Sequence, residues 1–420
     1  MSIDQGNKIT KKHDPEYSLE AVPASASERR GFLTMFAIMV SFTFFAASMN
    51  FGATMGKNLN FNNFVLAILF GGIILSIYTG LLAFIGQRTG LSMDLLAQRA
   101  FGKVGSFLPS AMVSFTQIGW VGVGIGMFAI PVSGVTGLPV WLWVIIFGVA
   151  MTGTAYFGLK GLTVMGTISV PLITILGFYS IAHAAGQVGG FFRVFENPAG
   201  GLSLLTAIGL VVGTFVSGGT ATPNFVRFSK TTKIAVICTV AAFFIGNSLM
   251  FLFGAVGGAY TGEGDIFDVL IAMGLLVPAV LVLGANIWTT NDNAIYTAGL
   301  GLSNITKVRK KPMTLVSGVI ATAASIWLFN NFIGWLNFLS ATLPPVGVIL
   351  VLDYFLNKKN YEADAEPKSV VNIWAVVGVI LGALVANFLQ FGIAPINAML
   401  VSAICYLTGN SISKTRKQET

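Results

Sequence analysis

Gly213-Thr214-Phe215-Val216-Ser217-Gly218-Gly219-Thr220-Ala221-Thr222-Pro223-Asn224 is a glycine-broken, hydroxyl-rich stretch set inside a long apolar run. Pro223 lacks a backbone donor and its ring clashes with the preceding turn, while Gly218 and Gly219 weaken the helix ahead of it. A stretch of the same character occurs earlier: Phe44-Phe45-Ala46-Ala47-Ser48-Met49-Asn50-Phe51-Gly52-Ala53-Thr54. Thr43-Phe44 recurs as Thr214-Phe215. Either segment alone is equally consistent with close helix packing through small residues. Their spacing along the chain decides more, and that spacing depends on how many times the chain crosses a membrane.

The surrounding composition makes it a membrane chain. Of 420 residues, 55% are hydrophobic and 10% charged, where soluble chains carry roughly 25% charged residues. Runs such as 140–157 and 370–388 are long enough to cross a hydrocarbon core of ~30 Å at 1.5 Å per residue. The pattern predicts an all-α integral membrane protein with twelve spans, at 31–56, 62–86, 106–134, 140–159, 162–184, 203–228, 233–260, 266–297, 313–328, 331–356, 370–389 and 395–411. With the amino terminus inside, 22 of the 24 basic residues fall on one face, and Lys57 and Arg193 alone fall on the other. The positive-inside rule therefore puts both termini in the cytoplasm, and the formal charge of +8 reflects topology and lipid contact, not nucleic-acid binding. Residues 1–28 contain no apolar segment ahead of a cleavage site, so no removable signal peptide is expected. The bacterial inner membrane is the expected location.

The two interrupted segments lie five spans apart. Five is odd, so the second copy enters the membrane from the opposite side. Interrupted helices at matching positions of inverted halves point to the midplane site of a secondary transporter. The layout is then a tail at 1–30, a first five-helix repeat at 31–184, an inverted second repeat at 203–356, two additional helices at 370–411 and a tail at 412–420, with spans 1 and 6 discontinuous.

Chemistry-bearing side chains cluster at that depth. Gln117 and Trp120 are i,i+3 neighbours on span three and share a helix face. Gln117 offers a donor and an acceptor and Trp120 a flat π surface; interhelical glue and an interfacial belt are the bland alternatives, although Trp120 sits near mid-span. Asn286-Ile287-Trp288-Thr289-Thr290-Asn291-Asp292-Asn293 is the most polar run in any predicted span. Its adjacent threonines, with carbonyls of a broken helix, are the hard oxygen donors an alkali cation wants. Asp292 is a functional candidate by its depth, with a structural hydrogen-bond hub as the alternative. Asp353, near the end of span ten, is expected to snorkel. Cys238 and Cys405 lie in apolar runs and form no metal motif, and His13 and His183 are not placed for catalysis. An enzyme is therefore not expected, and a channel would show a continuous polar lining.

Gln117-Ile118-Gly119-Trp120, Phe215 with Ser217-Gly218-Gly219-Thr220, Asn224-Phe225-Val226-Arg227-Phe228 and the run from Asn286 to Asn293 resemble the nucleobase–cation symporter family, over residues from about 30 to the end of span twelve. The resemblance implies a leucine-transporter-like fold of two inverted five-helix repeats plus two helices, and sodium-coupled import by alternating access. It implies that Trp120 and Phe215 sandwich a pyrimidine, that Gln117 bonds its edge, and that Ser217, Gly213 and Phe45 line the pocket. It implies a co-transported sodium ion held by carbonyls of Ser41, Phe44 and Asn286 and hydroxyls of Thr289 and Thr290. The hydantoin branch carries tryptophan where this chain has Phe215, which points to the cytosine branch. Alternatives are another purine, pyrimidine or hydantoin substrate, or proton coupling through Asp292. A monomer in contact with lipid is expected.

Overall fold

The computed structural model describes residues 20–418 except 26, 28, 332–333, 336–337, 339–341, 363–364, 368 and 390–391. The first nineteen residues of the expected tail, with Lys8, Lys11, Lys12 and His13, lie outside the described residues, as does Lys368. The fold is helical; its one extended pairing among the described residues is an isolated bridge between Arg30 and Ser229.

In chain order the helices are α1 (Phe32–Thr43), α2 (Ala46–Asn58), α3 (Phe61–Thr89), α4 (Met93–Phe101), α5 (Phe107–Thr136), α6 (Val140–Tyr156) and α7 (Leu159–Val188). Then come α8 (Leu204–Thr220), α9 (Pro223–Val226), α10 (Thr232–Thr261), α11 (Ile266–Ala272), α12 (Gly284–Thr306), α13 (Lys310–Asn330), α14 (Pro344–Leu356), α15 (Ile373–Phe388) and α16 (Ala394–Gln418). Among the described residues six helices are long and apolar enough to cross a membrane, α8 and α9 counting together as 204–226, or seven with α1 and α2 taken as one span bent by 51°. The chain is a multi-pass membrane protein.

The bend lies where the sequence places it. Phe44 and Phe45 leave the helical conformation between α1 and α2. The second interruption falls at Ala221 and Thr222, after which Pro223 opens α9, the one position where its missing donor costs nothing.

Three expectations change. The span at 266–297 is not one helix: α11 ends before Gly274, which adopts φ +76°, and a π-turn at Ala279–Leu283 leads into α12. A left-handed glycine stops a helix because it needs no Cβ there. Within the span expected at 331–356, of which 332–333, 336–337 and 339–341 lie outside the described residues, α14 starts at Pro344, because Pro344 and Pro345 supply no backbone donor and so set a helix start. Asp353 does not snorkel: it is 3% exposed and accepts hydrogen bonds from Tyr361 and Tyr406 at 2.5 Å and Asn357 at 2.7 Å, tying the end of α14 to α16. A short helix, α4, was not anticipated; Ser92 caps it by accepting from the Leu95 amide.

The tightest packing joins α2 to α10. A Cβ on Gly52 would stand 2.2 Å from Phe251 O, on Gly56 2.0 Å from Ala255 O, on Gly254 1.9 Å from Met49 O and on Gly258 2.3 Å from Ala53 O. Both helices thus present glycines four residues apart and their backbones meet directly. Because the obstructing atoms are main chain, no rotamer change makes room. Gly254→Val is expected to lower the melting temperature of detergent-purified protein by several degrees or to abolish recovery of folded protein, since overpacking alone costs ~1–3 kcal/mol. Gly209→Val, where a Cβ meets nothing within 4 Å, should leave it within a degree or two; equal losses in the two variants would count against the interlock.

Candidate substrate and cation site

Where α1 breaks, two main-chain carbonyls lose their helical partners, and buried carbonyls must be paired. The side chains of α12 take them up. Asn286 Nδ2 donates to Phe44 O at 2.5 Å and Thr290 Oγ1 donates to the same oxygen at 3.0 Å, lying 3.5 Å from Ser41 O. Thr289 Oγ1 donates to Asn286 O at 2.8 Å. The five residues named from the sequence, Ser41, Phe44, Asn286, Thr289 and Thr290, therefore converge, all buried. Ser169 on α7 joins them, its Oγ 3.4 Å from Thr289 Oγ1; a lone serine in an apolar run gave no signal of this. The donor set is carbonyl and hydroxyl oxygen without a charged group, which suits a hard monovalent cation. Asn286 Oδ1 is buried without a hydrogen-bond partner, a further oxygen available there.

One turn further along the same helices is an aromatic cavity lined by Phe42, Phe45, Gln117, Trp120, Thr214, Phe215, Ser217, Gly218, Thr290 and Ala294. Trp120 Nε1 donates to Ser217 Oγ at 3.2 Å, crossing from α5 to α8. The Phe45 ring meets Trp120 edge-on at 5.6 Å and Phe215 at 6.4 Å, and Phe42 meets Phe215 at 5.9 Å. Gln117 is 2% exposed and its Nε2 is buried without a hydrogen-bond partner. Leaving a buried donor unpaired costs ~1–3 kcal/mol, so this amide is set up for an acceptor supplied from the cavity. Free space amounts to about 10 Å³, close to one water.

Five of the six expected pocket residues line the cavity. Gly213 does not; it lies buried in α8 immediately before Thr214, whose side chain takes the lining position instead. Phe42, Thr214, Gly218 and Ala294 were missed, although Phe42 follows from Phe45 by i,i+3 across the end of α1. Thr290 belongs to both sites. Asp292 faces the other way: its Oδ1 accepts from Thr154 Oγ1 on α6 at 2.7 Å, and Thr154 accepts from Trp288 Nε1 at 2.8 Å. Among the described residues no group of three or more His, Cys, Asp and Glu side chains is placed to hold a metal.

Two further sets of hydrogen bonds join elements on either side of the helix interruptions. In one, Asn50 on α2 donates to Asp265 at 2.8 Å and accepts from the Ile266 amide at 2.8 Å. In the other, Arg29 donates to Ser229 O at 2.8 Å, the Arg30 amide donates to Phe228 O, and Asn224 accepts from the Met93 amide at 2.8 Å.

The chain belongs to the family of permeases for cytosine/purines, uracil, thiamine and allantoin, whose model matches residues 22–409. It is 48% identical over 401 residues to the cytosine permease of Escherichia coli (strain K12), covering 95% of each chain. It is 26% identical over 313 residues to the hydantoin permease of Microbacterium maritypicum, covering 65% of this chain and 62% of the relative. Its fold is similar to Mhp1, a nucleobase-cation-symport-1 family transporter, in a closed conformation with bromovinylhydantoin bound (TM-score 0.79, 21% identity, 95% of this chain and 96% of the other). It is also similar to a Na⁺-coupled sialic acid symporter (TM-score 0.71, 13% identity, 91% and 90% covered). The chain is a transporter of the nucleobase–cation symporter family, not an enzyme, with a leucine-transporter-like fold.

On the Arg227 side of the cavity, Asp94 at the start of α4 is fully buried and accepts from Ser110 Oγ at 2.6 Å. Desolvation pushes its carboxyl up to about 6, against the pull of the Ser110 hydrogen bond and the charges of Arg227 and Lys307. A raised folded-state value means that the stability contributed by protonated Asp94 is full below about 4 and is lost as pH rises through about 6. Asp94→Asn should therefore become more stable relative to the parent as pH rises from 4 to 7, by on the order of 2–3 kcal/mol in total, read as melting temperatures in detergent across that range. A difference that does not vary with pH would contradict it.

Proposed function

We propose that this chain imports cytosine by sodium symport with alternating access, its substrate sandwiched by Trp120 and Phe215 and edged by Gln117. The observation that carries this reading is the unpaired, buried Gln117 amide in the wall of an otherwise aromatic cavity. Stacking is worth ~1–3 kcal/mol per base and tolerates any planar ring, so choice among rings rests on the edge. Cytosine sets an amino donor beside an N3 acceptor, and an amide answers such a pair with its own oxygen and nitrogen, as it does for adenine in DNA. Relatives named cytosine permease support the substrate.

For the cation, the support is the convergence of Ser41, Phe44 and Asn286 carbonyls with the Thr289 and Thr290 hydroxyls, and a structural neighbour that is a Na⁺-coupled symporter. The shared residue Thr290 ties the two sites together. One Na⁺ moving down ~100 mV supplies ~2.3 kcal/mol, and a tenfold gradient ~1.4 more, enough for roughly 500-fold accumulation. A second reading, proton coupling, rests on Asp292 Oδ2, buried without a partner, but that carboxyl faces α6 and not the cavity.

For topology we infer twelve spans. Beyond the seven long apolar elements there are three shorter apolar helices, α6, α14 and α15, and the helices α12 and α16. The two five-helix repeats at 31–184 and 203–356, the extra pair at 370–411 and the cytoplasmic termini in a bacterial inner membrane follow from the same reading. A fluorescent protein fused after Thr420 should fluoresce in the cytoplasm; an active alkaline phosphatase fusion there would reverse the orientation.

Uptake of labelled cytosine by cells expressing the chain, with and without Na⁺, tests the whole proposal. Thr289→Ala and Thr290→Ala should each raise the sodium concentration for half-maximal uptake about tenfold or more, as expected for loss of an interaction worth ~1.5 kcal/mol. Uptake that follows pH and ignores Na⁺ would transfer the role to Asp292. Gln117→Ala should cost cytosine ~1–3 kcal/mol and shrink its advantage over uracil in competition assays, whereas Trp120→Ala should weaken all accepted rings alike. Full discrimination by Gln117→Ala would leave the edge to be read by main chain of α2 or α8.

A further inference from the structure

Away from the aromatic cavity, α3 and α10 diverge on the outside of the bundle and leave a groove of about 400 Å³, in the roughly 300–1,000 Å³ range of small-molecule sites. Val65, Ile68 and Leu69 form one wall and Ile245, Leu249 and Leu252 the other. Val65, Leu69 and Ile245 remain 40%, 40% and 57% exposed, so in a bilayer this concavity faces hydrocarbon.

Its end is roofed by rings. Phe61 lies 5.6 Å from Phe191, 5.0 Å from Phe192 and 5.6 Å from Phe195, which brings the 3-10 turn Phe192–Phe195 over the start of α3. This end of α3, capped by Asn60 and flanked by exposed charged side chains, lies at headgroup level, where Lys and Arg near helix ends reach the interface. Beside the roof stand Lys57 and Arg193, both exposed. They are the two basic residues that depart from the charge asymmetry of the chain, and the Ala199 amide donating to Lys57 O at 2.8 Å holds their segments together. Glu196, also exposed, caps the same turn.

An annular lipid needs nothing more than apolar surface. Here an apolar groove at chain depth ends in two cations and a carboxylate at headgroup depth. We propose that the groove binds one zwitterionic phospholipid of the phosphatidylethanolamine type: an acyl chain between α3 and α10, the phosphate against Lys57 and Arg193, and the ammonium against Glu196. The groove shares a wall with the aromatic cavity, because the π-turn Ala241–Gly246 of α10 carries Ile245 into the groove and sets Phe243 against Phe215 at 5.9 Å.

Native mass spectrometry of the full-length protein, delipidated in detergent and titrated separately with phosphatidylethanolamine, phosphatidylglycerol and phosphatidylcholine, tests this. The expected result is one saturable phosphatidylethanolamine adduct, with occupancy at sub-stoichiometric lipid about fivefold above the other two headgroups. Leu249→Trp, which fills the groove, should reduce that adduct to the level of the others. Lys57→Ala/Arg193→Ala, confined to exposed positions, should lower it about tenfold and decides the matter if the tryptophan variant does not fold. Glu196→Gln should remove the preference over phosphatidylglycerol. Equal adducts for all three headgroups, retention of the adduct in Leu249→Trp with an unchanged melting temperature, or a dimer mass lost in that variant in place of a lipid adduct would each overturn the proposal.

Discussion

The carbonyl of Phe44 organises much of the molecule. Breaking a helix at membrane depth frees main-chain groups that neither lipid nor water can satisfy, and each left unpaired costs several kcal/mol. Asn286 and Thr290 of α12 both donate to that one oxygen. The break in α1 and the polar run of α12 are therefore one feature seen from two sides: neither is tolerable without the other. The same interruption turns Phe45 into contact with both Trp120 and Phe215, so the irregular backbone generates the oxygen cluster and the aromatic cavity together.

Rigid glycine contacts hold the bent element in place. With α2 packed main chain to main chain against α10, the half-helix beyond the break moves with α10 or not at all. A second anchor lies at the far end, where Asp353 gathers Tyr361, Tyr406 and Asn357. Such a carboxylate with three donors rigidifies the packing of α14 on α16 because removing any one donor leaves part of its charge unanswered. Between these anchors the aromatic cavity is small, close to the size of one water.

Much of the site was legible from local signals. Glycine and hydroxyl residues within an apolar run located the 51° bend between α1 and α2, and Gln117 with Trp120 stood out because polar and flat side chains are rare at mid-span. Less was legible where the decisive partner is distant in sequence. Asp353 looked like a snorkelling acid because nothing nearby announces Tyr406; which way Asp292 faces stayed open because Thr154 and Trp288, which orient it toward α6, cannot be seen from its neighbours. Gly213 was placed in the lining by analogy, and a rotation of about 100° per residue gives that position to Thr214.

By itself the sequence determined that the chain crosses a membrane many times, where the first apolar run bends, and which residue types gather at that depth, because hydropathy, glycine and proline act locally. Tertiary structure alone decided which oxygen atoms converge, which side of α12 each polar residue faces, and where α12 and α14 start. Those outcomes depend on how each helix is rotated and on long-range pairing of freed backbone groups, and side chains from α1, α5, α8 and α12 meet only after the bundle has closed.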